Sequence, residues 1–344
     1  MHAPSDAPAA ADLVADPAWF PFSLDLAADQ LLFVRLEEAA LRSASFLDQR
    51  VLQAAGPRHA LPWDAATATL AAGAQRDVQY IFHIGHVGST LVSRLLGELR
   101  DVSALREPLL LRQFAEALGA GRWGAAEGSR LDALTTLLSR AFRPGQRALV
   151  KATSFTSEIA DRLVPPGSRA LFLYVSPGAY IETILGGDAS RQELAMLTPS
   201  RIARLARRCP GLALDPERLG EAQKAAVGWA CEMTSLQRSA AALGADRVLW
   251  VDFDRFLEDP AGTLAAAAAF LGHALDPAQA RALCAGPLMR RYSKALEYEY
   301  SPGLRREVLA DARRRFGREI DAALAALAAM GQRWPAIARA VERS

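Results

Sequence analysis

Cysteine and histidine are scarce in this chain. It has three cysteines and five histidines among 344 residues, and Cys209, Cys231 and Cys284 lie far apart without CxxC spacing. This pattern predicts neither a disulfide framework nor a zinc site, so we expect no bound metal and small, buried, unreactive thiols. Free cysteines are typical of a reducing compartment, and we predict a cytoplasmic location.

A large excess of one charge and long apolar runs are missing too. The net charge is +2 and 23% of the residues are charged, which gives no reason to expect nucleic-acid binding. No apolar run reaches the length of a membrane span, and the N-terminus lacks the charged start and apolar core of a signal peptide. Heavy use of alanine and arginine indicates a GC-rich bacterial coding sequence. Nothing in these patterns indicates an oligomeric state.

Three regions follow from the pattern along the chain. Residues 1–16 are interpreted as a disordered tail. Residues 17–75 carry apolar residues at helical spacing, above all in 25–41, and predict a helical extension. From residue 76 to residue 344, short apolar runs alternate with helical stretches, which predicts an α/β domain with a parallel sheet of about five strands and helices on both faces. The strand candidates are residues 79–84, 103–106, 147–151, 170–175 and 247–251.

The ends of these strands predict where a ligand binds. In a parallel sheet, ligands lie beyond the carboxyl ends of the strands, so the loops that follow four of the strands are expected to face one crevice. These loops begin at Gly85, Glu107, Lys151 and Ser176. The segment 190–243 holds no further strand and predicts helices that shape the substrate pocket, whereas the arginine-rich stretch 304–316 predicts a solvated helix face.

The most informative segment is residues 80–96, YIFHIGHVGSTLVSRLL. It predicts a buried strand, a loop with Gly85 and Gly88, and a helix that begins near Ser89 and Thr90. Glycines let the loop turn its N–H groups inward, and the first helical turn adds unpaired N–H donors and a partial positive charge, so the loop suits a phosphate or sulfate group. It lacks the lysine of the GxxxxGK[ST] motif, which disfavours an ordinary ATPase or kinase. Plain packing is the other interpretation.

In the order of its segments the chain resembles the sulfotransferase family. His86-Val87-Gly88-Ser89-Thr90 lies over the family's 5′-phosphosulfate loop, which has the form Lys/Arg-Ser-Gly-Thr-Thr. Further segments resemble the family in the right order over about residues 78–300. They are Arg106-Glu107-Pro108, Val150-Lys151-Ala152-Thr153, residues 176–183, residues 251–272 and Tyr292-Ser293-Lys294-Ala295.

This resemblance implies a P-loop NTPase-like three-layer sandwich and a donor, 3′-phosphoadenosine 5′-phosphosulfate (PAPS). The sulfuryl group would pass in line, without a metal, to a hydroxyl of a small molecule, glycan or peptide. Glu107 is implied as the general base, Lys151 as the cation beside the leaving phosphate, and His86 as the stand-in for the family's loop cation. The implied donor-binding residues are Gly85, Val87, Gly88, Ser89, Thr90, Arg106, Thr183, Ser293 and Lys294.

Three departures from the family pattern leave alternatives open, one of them the absence of a clear Arg-Lys-Gly segment, which the family's cytosolic enzymes use for the 3′-phosphate. His86 stands where the family has Lys or Arg, and an unperturbed histidine is mostly neutral at pH 7. Val175 stands where the family has the arginine that grips the 3′-phosphate, with Arg191 or Arg291 as candidate replacements. The alternatives are a catalytically silent relative that binds a ligand or a protein, and an ATP-dependent phosphotransferase.

Overall fold

A five-stranded parallel sheet forms the centre of the chain. The computed structural model describes residues 8–53, 55–70, 74–294 and 297–344. The sheet has the order β5-β6-β4-β7-β8 with every neighbouring pair parallel. Its strands are β4 (Gln79–His83), β5 (Val102–Arg106), β6 (Arg147–Lys151), β7 (Ala170–Tyr174) and β8 (Val248–Asp252). The predicted α/β fold is confirmed, and each predicted strand is present within one residue at either end.

The composition of the two middle strands explains their position. Every residue of β4 and of β7 is buried, because both strands are almost continuously apolar and helices cover both faces. β4 lies between β6 and β7, so the loop that leaves its carboxyl end emerges at the middle of the sheet.

Fifteen helices in the described ranges surround the two sheets. Helices α4 (Ser89–Leu96) and α12 (Pro260–Leu271) pack together over the five-stranded sheet, whereas α10 (Glu221–Leu243) packs with α7 (Ala160–Leu163) and the 3₁₀ segment Ser154–Ile159. The sheet and these two groups of helices form three layers. The helices are α1 (Ala10–Ala15), α2 (Glu38–Ser43), α3 (Trp63–Thr69), α4 (Ser89–Leu96), α5 (Leu109–Gly119), α6 (Glu127–Leu138), α7 (Ala160–Leu163), α8 (Pro177–Leu185), α9 (Asp188–Arg208), α10 (Glu221–Leu243), α11 (Phe253–Glu258), α12 (Pro260–Leu271), α13 (Pro277–Ala285), α14 (Pro302–Arg333) and α15 (Pro335–Arg343).

The N-terminal extension differs from the prediction. Residues 17–75 hold a three-stranded antiparallel sheet, β1 (Trp19–Asp25), β2 (Gln30–Arg35) and β3 (Arg58–Pro62), beside short helices. The helical prediction for 25–41 was wrong because a tight turn interrupts it. The Asp25 carboxylate accepts from the amides of Ala27 and Ala28, both at 3.0 Å, and Asp29 adopts a φ of 53°.

The described part of the predicted disordered tail is ordered. Residues 10–15 form α1, and Leu13 and Val14 are buried, which corrects the expectation for residues 8–16; residues 1–7 lie outside the described part of the chain. The Arg140 guanidinium donates to the carbonyls of Leu13 and Trp19 at 3.0 and 2.8 Å. The main domain therefore holds this segment in place.

Three long helices complete the architecture on one side of the site. Helices α9 and α10 fill the segment that was predicted as helical, and α14 packs against α8 and α10. We call α9, α10 and α14 together the helical wall. Among the described residues no helix is both long and apolar enough to cross a membrane.

Candidate active site

One cavity of about 380 Å³ opens at the carboxyl ends of the parallel strands. The loop after β4 forms its floor, and Glu107 and Thr153 line it at the ends of the two strands on one side of β4. The helical wall closes the opposite side through residues of α9, α10 and α14. A late segment, residues 291–294 with 299 and 300, lines it as well. Three of the four predicted loops, those that begin at Gly85, Glu107 and Lys151, therefore contribute to this cavity, whereas Ser176 is not among its lining residues.

The loop after β4 has left-handed backbone at three positions. The φ angles are 88° at Gly85, 55° at His86 and 65° at Gly88. Gly85 donates its N–H to the buried His83 ring at 2.9 Å, so His83 supports the loop from inside the core. Burial lowers the pKa of His83 well below its ordinary value, which keeps the ring neutral and able to accept.

Helix α4 starts directly after this loop and leaves donors open. No side chain caps the helix, so the N–H groups of its first turn have no intrahelical acceptor. Ser89 and Thr90 are buried and line the cavity, and the Thr90 hydroxyl has no hydrogen-bond partner among the described residues. The side chain of Val87 is buried. Backbone donors and an unsatisfied hydroxyl at a positive helix end form a site for an anion.

Glycine is required at position 88 by a neighbouring side chain as well as by the φ angle. A Cβ atom at this position would lie 2.0 Å from the ring atoms Cε2 and Cζ of Phe253, the first residue of α11. No side chain fits there unless the ring moves. The loop therefore packs directly on the element that follows β8.

His86 points toward the helical wall. Its Nε2 lies 3.4 Å from Oε2 of Glu193, and its Nδ1 lies 3.5 Å from the Ser190 hydroxyl. Burial lowers the pKa of His86, while the hydrogen bond that His86 donates to Glu193 raises it. The pKa of Glu193 falls to about 2, chiefly because His86 donates to its carboxylate. His86 is thus a mostly neutral donor at pH 7, bound to an ionised glutamate.

Glu107 and Lys151 form an ion pair at the ends of β5 and β6. Lys151 Nζ donates to Glu107 Oε1, and the Glu107 N–H donates to the Lys151 carbonyl at 2.6 Å. Glu107 has a φ of 48°, a strained conformation for a residue with a side chain. Lys151 is fully buried while 17% of the Glu107 side chain is exposed. Burial lowers the pKa of Lys151, and the Glu107 carboxylate raises it.

Arg106 lies outside the cavity lining. Its guanidinium donates to the carbonyl of Ala44 at 2.7 Å and to that of Arg42, and burial lowers its pKa to about 9. The structure thus places Arg106 under the N-terminal extension, where it holds a backbone segment.

A second buried arginine, Arg94 of α4, was not singled out by the sequence. It donates to the carbonyl of Ser293 at 2.9 Å and to the Ser45 hydroxyl at 2.8 Å. Arg94 and Arg106 together hold the segment 42–47 against the site, and this segment carries Phe46. The Phe46 ring centroid lies 6.0 Å from Nζ of both Lys151 and Lys294. The extension therefore supplies an aromatic residue between two lysines of the site.

The remaining predicted residues line the cavity with different roles. Lys294 and Ser293 lie on its late segment, where the Ser293 carbonyl is taken by Arg94. Thr183 also lines it, but its hydroxyl donates to the Ala179 carbonyl at 2.7 Å. Val175 is buried and its carbonyl accepts from Trp229 at 3.0 Å, so position 175 offers no charge.

One arginine of the stretch 304–316 is part of the site, contrary to the expectation of a solvated face. The Arg305 side chain is 12% exposed, pairs with Asp254 at 2.7 Å and lines the cavity beside Phe253. Its Nη2 atom is buried without a hydrogen-bond partner among the described residues. Arg313, Arg314 and Arg315 are exposed, so the expectation of a solvated face holds for these three arginines.

Solved structures similar to this chain include several sulfotransferases and a retinol dehydratase. The sulfotransferase domain of the curacin biosynthetic pathway has a TM-score of 0.44 and 15% identity, covering 66% of this chain and 84% of the other. A sulfotransferase from Alicyclobacillus acidocaldarius has a TM-score of 0.37 and 19% identity, with coverages of 72% and 96%. Retinol dehydratase in complex with retinol and PAP has a TM-score of 0.34 and 16% identity, with coverages of 70% and 74%. No protein-family model and no curated protein sequence matches the chain.

Proposed function

We propose that this chain is a sulfotransferase that moves the sulfuryl group of PAPS to a hydroxyl of a small molecule, glycan or peptide. One observation carries the proposal: an anion-binding loop without a P-loop lysine opens onto the same cavity as a carboxylate held by a buried lysine. The ordered set of family-like segments supports the same reaction. We place the activity in the bacterial cytoplasm, where the three free cysteines stay reduced.

The residues of the loop fit the 5′-phosphosulfate of the donor. The unpaired N–H groups at the start of α4 and the unsatisfied Thr90 hydroxyl would donate to its oxygens. Lys294 is the lysine that lines the cavity, and we assign it the charge beside the leaving phosphate. Bound PAPS supplies an activated sulfur atom with PAP as its leaving group.

Glu107 has the position of a general base. It takes the proton of the acceptor hydroxyl as that oxygen bonds to sulfur and the bond from sulfur to the 5′-phosphate oxygen breaks. The left-handed backbone of Glu107 orients its carboxylate, and Lys151 donates to one of the two carboxylate oxygens. We therefore assign Lys151 to positioning Glu107, because it is fully buried behind that carboxylate.

A catalytically silent relative is the second candidate, favoured by two observations. His86 is buried and its pKa is lowered, so the loop carries no fixed cation. Position 175 holds an uncharged, buried valine. Such a chain would bind PAP without turning over PAPS.

Melting temperatures with PAP, PAPS, ATP and GTP separate these functions, because a ligand that binds the folded state raises the melting temperature. We expect PAP and PAPS to stabilise the chain without magnesium, and incubation of PAPS with a panel of hydroxyl acceptors to release PAP. Stabilisation by PAP with no turnover across the panel would favour the silent relative. Magnesium-dependent stabilisation by ATP alone would favour a phosphotransferase.

A further inference from the structure

A buried charge network in which one arginine is only loosely paired joins α9 and α10 to the 3₁₀ segment Ser154–Ile159. Arg204 donates to Glu232 at 2.6 Å, and Arg208 donates to Glu158 at 2.7 Å. In each of these two pairs the arginine and the glutamate compensate each other's charge. Arg201 is the third arginine, and it reaches Glu232 only through Nε at 3.4 Å.

Arg201 presents unused donors to the cavity. Its side chain is 3% exposed and lines the cavity. Within the described part of the chain, neither of its Nη groups makes a hydrogen bond. The guanidinium packs against Gly228 of α10. Burying a charge is costly unless it is paired, and a guanidinium with two free N–H edges matches an anionic oxygen group bidentately.

The position of Arg201 along α9 separates it from the loop. Glu193, which contacts His86, lies eight residues earlier on the same helix. At 1.5 Å per residue, the two Cα atoms are about 12 Å apart along the helix axis. Arg201 therefore leaves α9 about two turns beyond the residue that contacts the loop, and an acceptor that extended along α9 from the loop would reach it.

The surface between these two points is apolar. Leu197 lines the cavity one turn before Arg201, and Leu304 and Val308 line it from α14. Both residues of α14 are unusually exposed for their type, at 44% and 41%. An apolar body would cover these side chains while a polar group reaches Arg201.

We propose that Arg201 binds an anionic oxygen group, in first place a carboxylate, on the acceptor. The acceptor class is a hydroxyl compound with an apolar body and an anionic group. This inference rests on the proposed function for the identity of the reacting hydroxyl. The guanidinium then sets specificity and takes no part in the transfer itself.

Three probes that share a 4-hydroxyphenyl group and carry an anionic, a neutral or a cationic end group test the inference. They are 4-hydroxyphenylacetate, its neutral amide and the cation tyramine, each titrated by calorimetry into the PAP-saturated chain. We expect the carboxylate to bind about tenfold more tightly than the amide, as for a hydrogen-bonded charge pair. Arg201→Gln should abolish this preference without changing PAP affinity. Arg112→Gln is the matched control, because Arg112 also lines the cavity but is half-exposed and paired with Glu116 at 3.0 Å.

Arg201→Lys is the second variant, and it keeps the proposal testable if Arg201→Gln has too low a melting temperature for the titrations. It retains the charge but loses the planar fork, so a reduced preference for the carboxylate is expected. Equal binding of the three probes to the wild type, no binding of any, or a preference that survives Arg201→Gln overturns the inference. Loss of PAP affinity in Arg201→Gln overturns it too, since the anion would then belong to the donor. If PAP itself fails to bind, the proposed function fails, while the same titrations into the free chain still decide whether Arg201 selects anions.

Discussion

Two regions build the cavity in different ways. One is the helical wall, and the other is formed by the carboxyl ends of β4, β5 and β6, which we call the sheet edge. At the sheet edge, the groups that act are backbone donors, one carboxylate and one lysine, all fixed by the ends of β4, β5 and β6. In the helical wall, side chains from α9, α10 and α14 supply the charge. Strand order alone brings the first set together, whereas the second set depends on how long helices pack.

The two regions also differ in how their charges are balanced. Lys151 and Glu107 compensate each other at the sheet edge. The helical wall holds Arg201 by a single Nε contact to Glu232 at 3.4 Å, beside the closer pairs made by Arg204 and Arg208. If both proposals above hold, the sheet edge serves the reaction common to any acceptor, and the helical wall selects which acceptor is used.

The largest expected effect is at the sheet edge. Glu107→Gln removes the proposed base and should lower kcat by about 10²- to 10⁴-fold, while PAP affinity stays unchanged. The control is Glu116→Gln, which removes an exposed carboxylate of α5 that pairs with Arg112. Steady-state kinetics with PAPS measures both variants. An unchanged kcat in Glu107→Gln would remove this residue from the chemistry.

In the helical wall the largest effect should be on stability. Glu232→Gln leaves two buried arginines without their carboxylate, which should lower the free energy of unfolding by about 3 to 5 kcal/mol. Glu221→Gln, on the same helix but in a half-exposed pair with Arg191, should cost less than about 1 kcal/mol. Urea unfolding compares the two. Equal losses of unfolding free energy in the two variants would contradict a stabilising role for the buried network.

A smaller effect on stability is expected where the loop meets α11. Gly88→Ala forces a Cβ atom into the Phe253 ring at a left-handed backbone position, for an expected loss of about 2 to 4 kcal/mol. PAP binding should weaken as the loop shifts. Gly178→Ala is the control, because nothing lies within 4 Å of a Cβ atom there. Similar melting temperatures for both variants would contradict the described packing.

The smallest effect is a titration shift at the contact between the two regions. We expect the His86 ring to titrate below its ordinary pKa of 6.5, because burial outweighs the hydrogen bond with Glu193. Glu193→Gln removes the interaction that raises this pKa, so the midpoint should fall further. NMR titration of labelled histidine, assigned with His86→Asn, measures both. A wild-type midpoint above 6.5 would restore a charged loop cation to the sheet edge.

The sequence predicted the sheet edge much better than the rest. Short apolar runs bounded by polar residues fix the five strands, and strand ends then bring Gly85, Glu107 and Lys151 together. The N-terminal sheet was missed because the turn at Asp25–Asp29 falls inside a pattern that also fits a helix. Nothing local marks Arg201 as buried and Arg207 as exposed on the same helix, since their environments depend on the helices packed beside them.

Long-range contacts also explain why the sequence assigned Arg106 to the donor phosphate although its side chain lies outside the cavity lining. Its neighbour in sequence, Glu107, lines the cavity, but Arg106 points to the carbonyls of residues 42 and 44. Alternation along a strand separates adjacent side chains, and the segment that receives Arg106 lies more than sixty residues earlier. Sequence order could place the residue at the strand end without giving its partner.

Titration of the full chain with PAP by calorimetry tests the central claim most directly. The account predicts saturable binding at one site, with no requirement for magnesium. It also predicts that Thr90→Val, which removes the unsatisfied hydroxyl of the loop, weakens this binding while leaving the melting temperature of the free chain nearly unchanged. No measurable heat with PAP in the wild type would contradict the assignment of the loop to a sulfuryl donor.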